Sequence, residues 1–139
     1  MKNNNEKSPH ILLVDDEDFL VKLWKNILEK HGYKVTGYTE VKLALEDFRN
    51  NPHNFDIVVT DQSMPHISGK EFAVELLKIR KNIKIIICSG YLEDREKISE
   101  LGIGICEFLI KPFDNNALIK AIEKNISNKF YIDNKNNKM

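Results

Sequence analysis

The chain contains few cysteines and no long apolar segment. Its 139 residues include two cysteines, Cys88 and Cys106, which form neither a Cys-x-x-Cys pair nor a cluster with histidine. Isolated cysteines beside apolar residues predict buried free thiols and a reducing, cytoplasmic environment, not a disulfide framework. No stretch approaches the roughly 18 apolar residues of a membrane helix, and the polar N-terminus lacks the apolar segment of a signal peptide.

The chain also lacks an excess of charge of either sign. Lys and Arg together number 21, as do Asp and Glu, so the formal net charge is zero. This balance gives no indication of direct nucleic-acid binding over a broad basic surface, and a membrane partner is not expected either. The four histidines have no metal-ligand spacing and are predicted to be structural or surface residues. Any functional charge must therefore be local.

Short apolar runs alternate five times with longer amphipathic segments. The runs have the length of strands and the longer segments carry apolar residues at helical spacing. The predicted strands are 10–14, 34–38, 55–60, 83–88 and 105–110, and the predicted helices are 19–31, 40–50, 68–81, 92–101 and 114–127.

This alternation predicts an α/β fold. Strands that are connected through helices lie parallel with right-handed crossovers, and largely apolar strands need helices on both sheet faces. The expected architecture is a doubly wound, three-layer sandwich of five βα units. One domain is expected over residues 9–127, with flexible segments at 1–8 and 128–139. The residues after about Ser127 are expected to be too few for a helix-turn-helix output domain, so the chain would be either a single-domain regulator that acts through protein contacts or a piece excised from a larger protein.

Charged and hydroxyl residues follow four of the five predicted strands. Asp15 to Asp18 follow the first, Asp61 the third, Ser89 the fourth and Lys111 the fifth. The carboxyl ends of parallel strands share one edge, so these side chains are expected to converge.

Such a set of residues has a definite chemistry. Clustered carboxylates repel one another and favour a hard divalent cation such as Mg²⁺. A carboxylate beside Mg²⁺ can accept a phosphoryl group, whose other oxygens the Ser89 hydroxyl and the Lys111 ammonium would bind.

The residues around these positions resemble response-regulator receiver domains over about residues 9–127. The matching segments are Leu13–Glu17, Val59–Pro65 with Gly69, Ile87–Gly90 and Phe108–Phe113. Each is weak or moderate alone, but all four in order at strand ends are specific. The sequences of the segments Thr60–Pro65 and Cys88–Tyr91 are similar to those of receiver domains that are joined to hybrid histidine kinases.

The resemblance implies a flavodoxin-like sheet in the order 2-1-3-4-5 and a role for each site residue. Asp61 would be the phosphoacceptor. Asp16 would ligate Mg²⁺ directly, Asp15 would assist through water, and Ser63 would supply a backbone carbonyl. Lys111 would pair with Asp61 and then with the phosphoryl group, and its bond to Pro112 would be cis.

The resemblance also implies a switch. The phosphoryl group would draw the Ser89 hydroxyl toward it, and Phe108 would turn inward into the vacated space. The surface of the fourth helix, fifth strand and fifth helix would then change for a downstream protein. A histidine kinase or phosphotransfer protein would be the donor, and the chain would be a monomer or weak dimer. It would be no enzyme beyond catalysing its own phosphorylation and dephosphorylation.

Simpler interpretations stay open from sequence alone. The acids after the first strand could cap a helix, and Ser89 could be a helix N-cap. Phe108 could be an ordinary core residue. Tyr91 could cover part of the pocket or belong to a partner-binding surface. Three rival functions are a haloacid-dehalogenase-type phosphatase, a flavodoxin-like cofactor binder and a receiver-like module that binds partners without phosphorylation. An Asp61→Asn variant distinguishes the last from a phosphoacceptor.

Overall fold

A computed structural model describes residues 8–100, 102 and 105–137. It contains ten elements, which alternate strictly between strand and helix. They are β1 His10–Val14, α1 Asp18–Lys30, β2 Lys34–Tyr38, α2 Val41–Asn50, β3 Ile57–Asp61, α3 Gly69–Ile79, β4 Lys84–Ser89, α4 Asp94–Ser99, β5 Ile105–Ile110 and α5 Asn115–Asn137.

The strands form one parallel sheet in the order β2-β1-β3-β4-β5, which confirms the predicted fold class and strand order. Alternate side chains of each central strand enter two separate cores. Leu12, Val58 and Ile85 pack with residues of α2, α3 and α4. Ile11 and Ile57 pack on the other face with residues of α1 and α5. The sheet is therefore the middle layer of three.

Local sequence signals explain where several helices begin and end. Gly32 follows α1 with φ of 93°, a left-handed conformation that costs glycine little and ends the helix. Ser68 and Glu71 form a capping box at the start of α3, with each side chain accepting a hydrogen bond from the other's backbone N–H.

Two helices differ in length from the predictions. α4 is shorter than the predicted 92–101, and Leu101 lies outside the described residues. α5 continues to Asn137 instead of ending near Ser127. Its last part contains neither Gly nor Pro, so the sequence offers no residue that stops a helix there. The flexibility expected for both terminal segments stays a prediction.

The cysteine prediction is confirmed for Cys88, which is a buried free thiol. Burial raises the pKa of that thiol to about 12. The side chain of Cys106 lies outside the described residues. Within the described ranges, none of the helices combines the length and apolar character that a bilayer crossing requires.

Candidate functional site

The end of β1 delivers two acids to the carboxyl edge of the sheet. The Asp15 N–H donates to the carbonyl of Tyr38 at 3.2 Å, which ties the end of β1 to the end of β2. The Asp15 carboxylate accepts the N–H of Glu17 at 2.9 Å. Helix α1 begins at Asp18 and has no side-chain cap, so helix capping does not account for the buried Asp15.

The end of β3 holds Asp61 on a constrained backbone. The next residue, Gln62, donates its N–H to the Cys88 carbonyl at 2.8 Å and accepts the Gly69 N–H at 2.9 Å. The Gln62 side-chain oxygen also accepts the Lys70 N–H at 2.8 Å. A Cβ atom on Gly69 would lie 2.5 Å from the Asp61 carbonyl oxygen, so only glycine lets α3 start this close to β3.

Lys111 reaches the site from the end of β5. The backbone N–H of Lys111 donates to the Ser89 carbonyl at 2.7 Å, and the predicted cis peptide bond to Pro112 is present. The Lys111 ammonium lies 2.7 Å from Asp61 Oδ1 and 3.6 Å from Asp15 Oδ2. The ammonium therefore bridges two carboxylates that come from different strands.

Burial is the largest influence on the pKa values of the two buried carboxyls in this site. Burial raises the pKa of Asp15 to about 6, with Asp61 and Asp16 adding to the rise and the Glu17 N–H and Lys111 opposing it. Burial also raises the pKa of Asp61, against the hydrogen bond and charge of Lys111. Burial alone would lower the pKa of Lys111, but its bond to Asp61 and the two carboxylate charges outweigh it and raise that pKa.

The three acids fit a divalent cation. Asp15, Asp16 and Asp61 each offer a carboxylate oxygen, and these oxygens lie within 4.8 Å of one another. Asp15 and Asp61 are buried, whereas Asp16 is exposed and leaves the site open to solvent. Oxygen ligands with room for water suit Mg²⁺, and a cation would relieve the mutual repulsion of the three carboxylates.

A cleft of about 490 Å³ opens beside Asp16. Its other walls come from the segments after β2 and β3 and include Thr39, Lys42, Met64 and His66. The cleft therefore gives small molecules access to the exposed acid.

The structure places the remaining predicted residues less centrally. Ser63 is exposed in the segment between β3 and α3, and its role as a carbonyl ligand stays a prediction. The Ser89 hydroxyl is buried and donates to Asp94 Oδ2 at 2.6 Å. Phe108 is partly buried against the core on the α3–α4 side, with the Arg95 guanidinium 5.7 Å from its ring centre. Both residues of the predicted switch thus contact α4.

Sequence reasoning missed Gln62 and Asp94. Gln62 anchors the backbone beside Asp61, and its only sequence signal is its place directly after that residue. Asp94 is the first residue of a polar helix, where an acid is ordinarily explained by the helix dipole. Its bond to Ser89 depends on the path of the β4–α4 segment.

Comparison with known proteins identifies the family. The family model for the response regulator receiver domain matches residues 11–123. Chemotaxis protein CheY of Thermotoga maritima is 34% identical over 115 residues, which cover 82% of this chain and 94% of that protein. CheY of Bacillus subtilis is 31% identical over 118 residues, which cover 84% of this chain and 97% of the relative.

Solved structures agree with these relatives. A response regulator receiver domain protein from Clostridium thermocellum superposes with a TM-score of 0.82 at 31% identity, over 89% of this chain and 98% of that one. Response regulator protein TrrA from Thermotoga maritima, in complex with Mg²⁺ and BeF, has a TM-score of 0.76 at 33% identity, over 84% and 98% of the two chains. The chain belongs to the response regulator receiver domain family.

Proposed function

We propose that the chain accepts a phosphoryl group on the Asp61 carboxylate from the phosphohistidine of a histidine kinase or phosphotransfer protein. The observation that carries the proposal is the convergence of three carboxylates and one ammonium from three strands. The oxygens of Asp15, Asp16 and Asp61 lie within 4.8 Å of one another, and Lys111 is 2.7 Å from Asp61.

Asp15, Asp16 and Asp61, with the Ser63 carbonyl, would hold Mg²⁺. When bound, Mg²⁺ would neutralise the carboxylates and screen the phosphoryl oxygens from them. The similar TrrA complex, which contains Mg²⁺ and BeF, supports this assignment.

The transfer exchanges one phosphorus bond for another. An Asp61 carboxylate oxygen attacks phosphorus, the phosphorus–nitrogen bond to the donor imidazole breaks, and its electron pair stays on the nitrogen. Lys111 holds Asp61 in place before transfer and then pairs with a phosphoryl oxygen. Hydrolysis of the acyl phosphate by water releases inorganic phosphate and restores the Asp61 carboxylate, and the chain would catalyse only its own phosphorylation and dephosphorylation.

The response would then travel through Ser89 and Phe108. The Ser89 hydroxyl turns to a phosphoryl oxygen, and Phe108 moves inward beside it. The face formed by α4, β5 and α5 changes shape for a downstream protein. Exposed Leu92, just before α4, and Ile110, at the end of β5, give this face apolar contact area.

Incubation with Mg²⁺ and acetyl phosphate or phosphoramidate, followed by intact-mass measurement, tests the proposal. We expect a gain of one phosphoryl group that EDTA abolishes and that Asp61→Asn removes. Asp18→Asn is the matched control, because Asp18 follows the same strand as Asp15 but is exposed and paired with Lys22. An unchanged gain in Asp61→Asn contradicts the assignment, and normal signalling by that variant in cells favours a phosphorylation-independent module.

A further inference from the structure

The hydroxyl of Ser89 is held on the side of α4, within a closed turn. Ser89 Oγ donates to Asp94 Oδ2 at 2.6 Å and accepts the Tyr91 N–H at 3.0 Å. The Asp94 N–H donates back to the Tyr91 carbonyl at 3.2 Å. Ser89 is 1% exposed, and a second acceptor, the Tyr91 carbonyl oxygen, lies farther from the hydroxyl at 3.4 Å, so Asp94 is its short-range acceptor.

A serine hydroxyl has one proton and can donate it to one strong acceptor at a time. In the proposed phosphorylated state, Ser89 donates that proton to a phosphoryl oxygen. The bond to Asp94 must break first, and it is a short bond to a charged acceptor, which belongs to the stronger class of hydrogen bonds. Asp94 therefore competes with the phosphoryl group for the same proton.

The neighbouring residue holds the second switch residue. Arg95 places its guanidinium 5.7 Å from the centre of the Phe108 ring, a cation–π distance. Asp94 and Arg95 are consecutive at the start of α4, so the same turn contacts both Ser89 and Phe108. Release of Ser89 from Asp94 would loosen that turn on the Phe108 side as well.

We infer that Asp94 is a positioning residue that holds the Ser89 hydroxyl away from the phosphoryl site and so restrains entry into the phosphorylated state. The inference rests on the proposed function and adds to it a restraint that lies in α4. Asp94 acts through Ser89, and removing its carboxylate shifts the equilibrium toward the phosphorylated conformation, because one competing acceptor is lost.

The test measures the affinity of the full chain for beryllofluoride, a phosphoryl mimic, at saturating Mg²⁺ by ¹⁹F NMR or calorimetry. We expect Asp94→Ala to bind about 3- to 10-fold more tightly than the wild type, the range that a typical net hydrogen-bond contribution gives. Asp94→Asn keeps an acceptor oxygen, so its affinity for beryllofluoride should lie between those of the wild type and Asp94→Ala. Glu93→Ala is the control, because Glu93 is exposed and makes no side-chain cap bond.

A double-mutant cycle separates the proposed role from a purely structural one. In a Ser89→Ala background, Asp94→Ala should no longer change the affinity for beryllofluoride, since the hydroxyl proton for which Asp94 competes is absent. Unchanged or weaker binding by Asp94→Ala, or the same tightening in the Ser89→Ala background, overturns the inference. Failure of the wild type itself to bind, with Asp61→Asn indistinguishable from it, instead overturns the proposed function.

Discussion

The raised pKa of Asp15 leads to a prediction about stability. At neutral pH and without metal, Asp15→Asn should make the chain more stable than the wild type. The folded protein holds the Asp15 carboxylate in a buried place beside Asp61, and an asparagine side chain has the same shape without the charge. The amide oxygen of the substituted side chain could still accept the Glu17 N–H that Asp15 accepts.

The magnitude follows from the pKa. Its rise from 3.8 to about 6 corresponds to about 3 kcal/mol as an upper limit. Solvent screening and side-chain relaxation reduce this, and we expect about 1 to 2 kcal/mol. The size of the difference depends on pH: well below pH 3.8 the carboxyl is neutral in both folded and unfolded chains, and the difference vanishes. It develops as pH rises through the window from 3.8 to about 6 and is constant above it.

Urea unfolding in EDTA at several pH values between 4 and 8 measures this difference. Asp18→Asn is the control and should change stability by less than about 1 kcal/mol, because its pair with Lys22 is at the surface. Millimolar Mg²⁺ should stabilise the wild type more than Asp15→Asn, since binding to the folded state adds to its stability. An Asp15→Asn variant less stable than the wild type at pH 7 in EDTA would refute the reasoning.

Three further predictions concern other parts of the molecule. Burial and nearby Lys34 lower the pKa of His10, so the unfolded chain binds a proton at this histidine more readily than the folded chain does. The stability of the wild type therefore falls as pH drops through the ordinary histidine value of 6.5. In His10→Gln, the unfolding free energy should depend less on pH between pH 7 and 5 than it does in the wild type. Gly69→Ala should cost about 1 to 3 kcal/mol in thermal denaturation and slow phosphorylation, because its Cβ would meet the Asp61 carbonyl oxygen at 2.5 Å; wild-type stability would contradict this. The Arg80 side chain donates to the carbonyls of Pro52 and Phe55 at 3.0 and 2.6 Å. Arg80→Ala should lower the unfolding free energy, measured by urea unfolding, by about 2 kcal/mol. A loss below about 0.5 kcal/mol would show that water replaces these bonds.

The sequence predicts the parts of the site that depend on strand ends. An apolar run directly precedes each of Asp15, Asp61 and Lys111. Parallel strands bring such positions to one edge of the sheet, regardless of where the helices begin and end. Their convergence is therefore accessible from spacing alone. The cis peptide before Pro112 is accessible only through the family resemblance.

Features that depend on the path of a connecting segment are not accessible in this way. The partner of the Ser89 hydroxyl is Asp94, and the choice between Asp94 and the acidic site is made by the turn between β4 and α4, for which short-range patterns carry little information. The predicted end of α5 near Ser127 is too early because it relies on polar composition, and Asn and Lys are tolerated within a helix.

The hydrogen bonds of Gln62 have a consequence for which donors can react. Its backbone and side chain join β3, β4 and the start of α3, so the neighbouring carboxylate is already oriented when a donor arrives. A large protein partner is then not needed to order the acceptor, and much of its contact surface can serve to distinguish one donor from another. Reactivity toward small phosphodonors and selectivity among kinases thereby become separable properties, which mutation can alter independently.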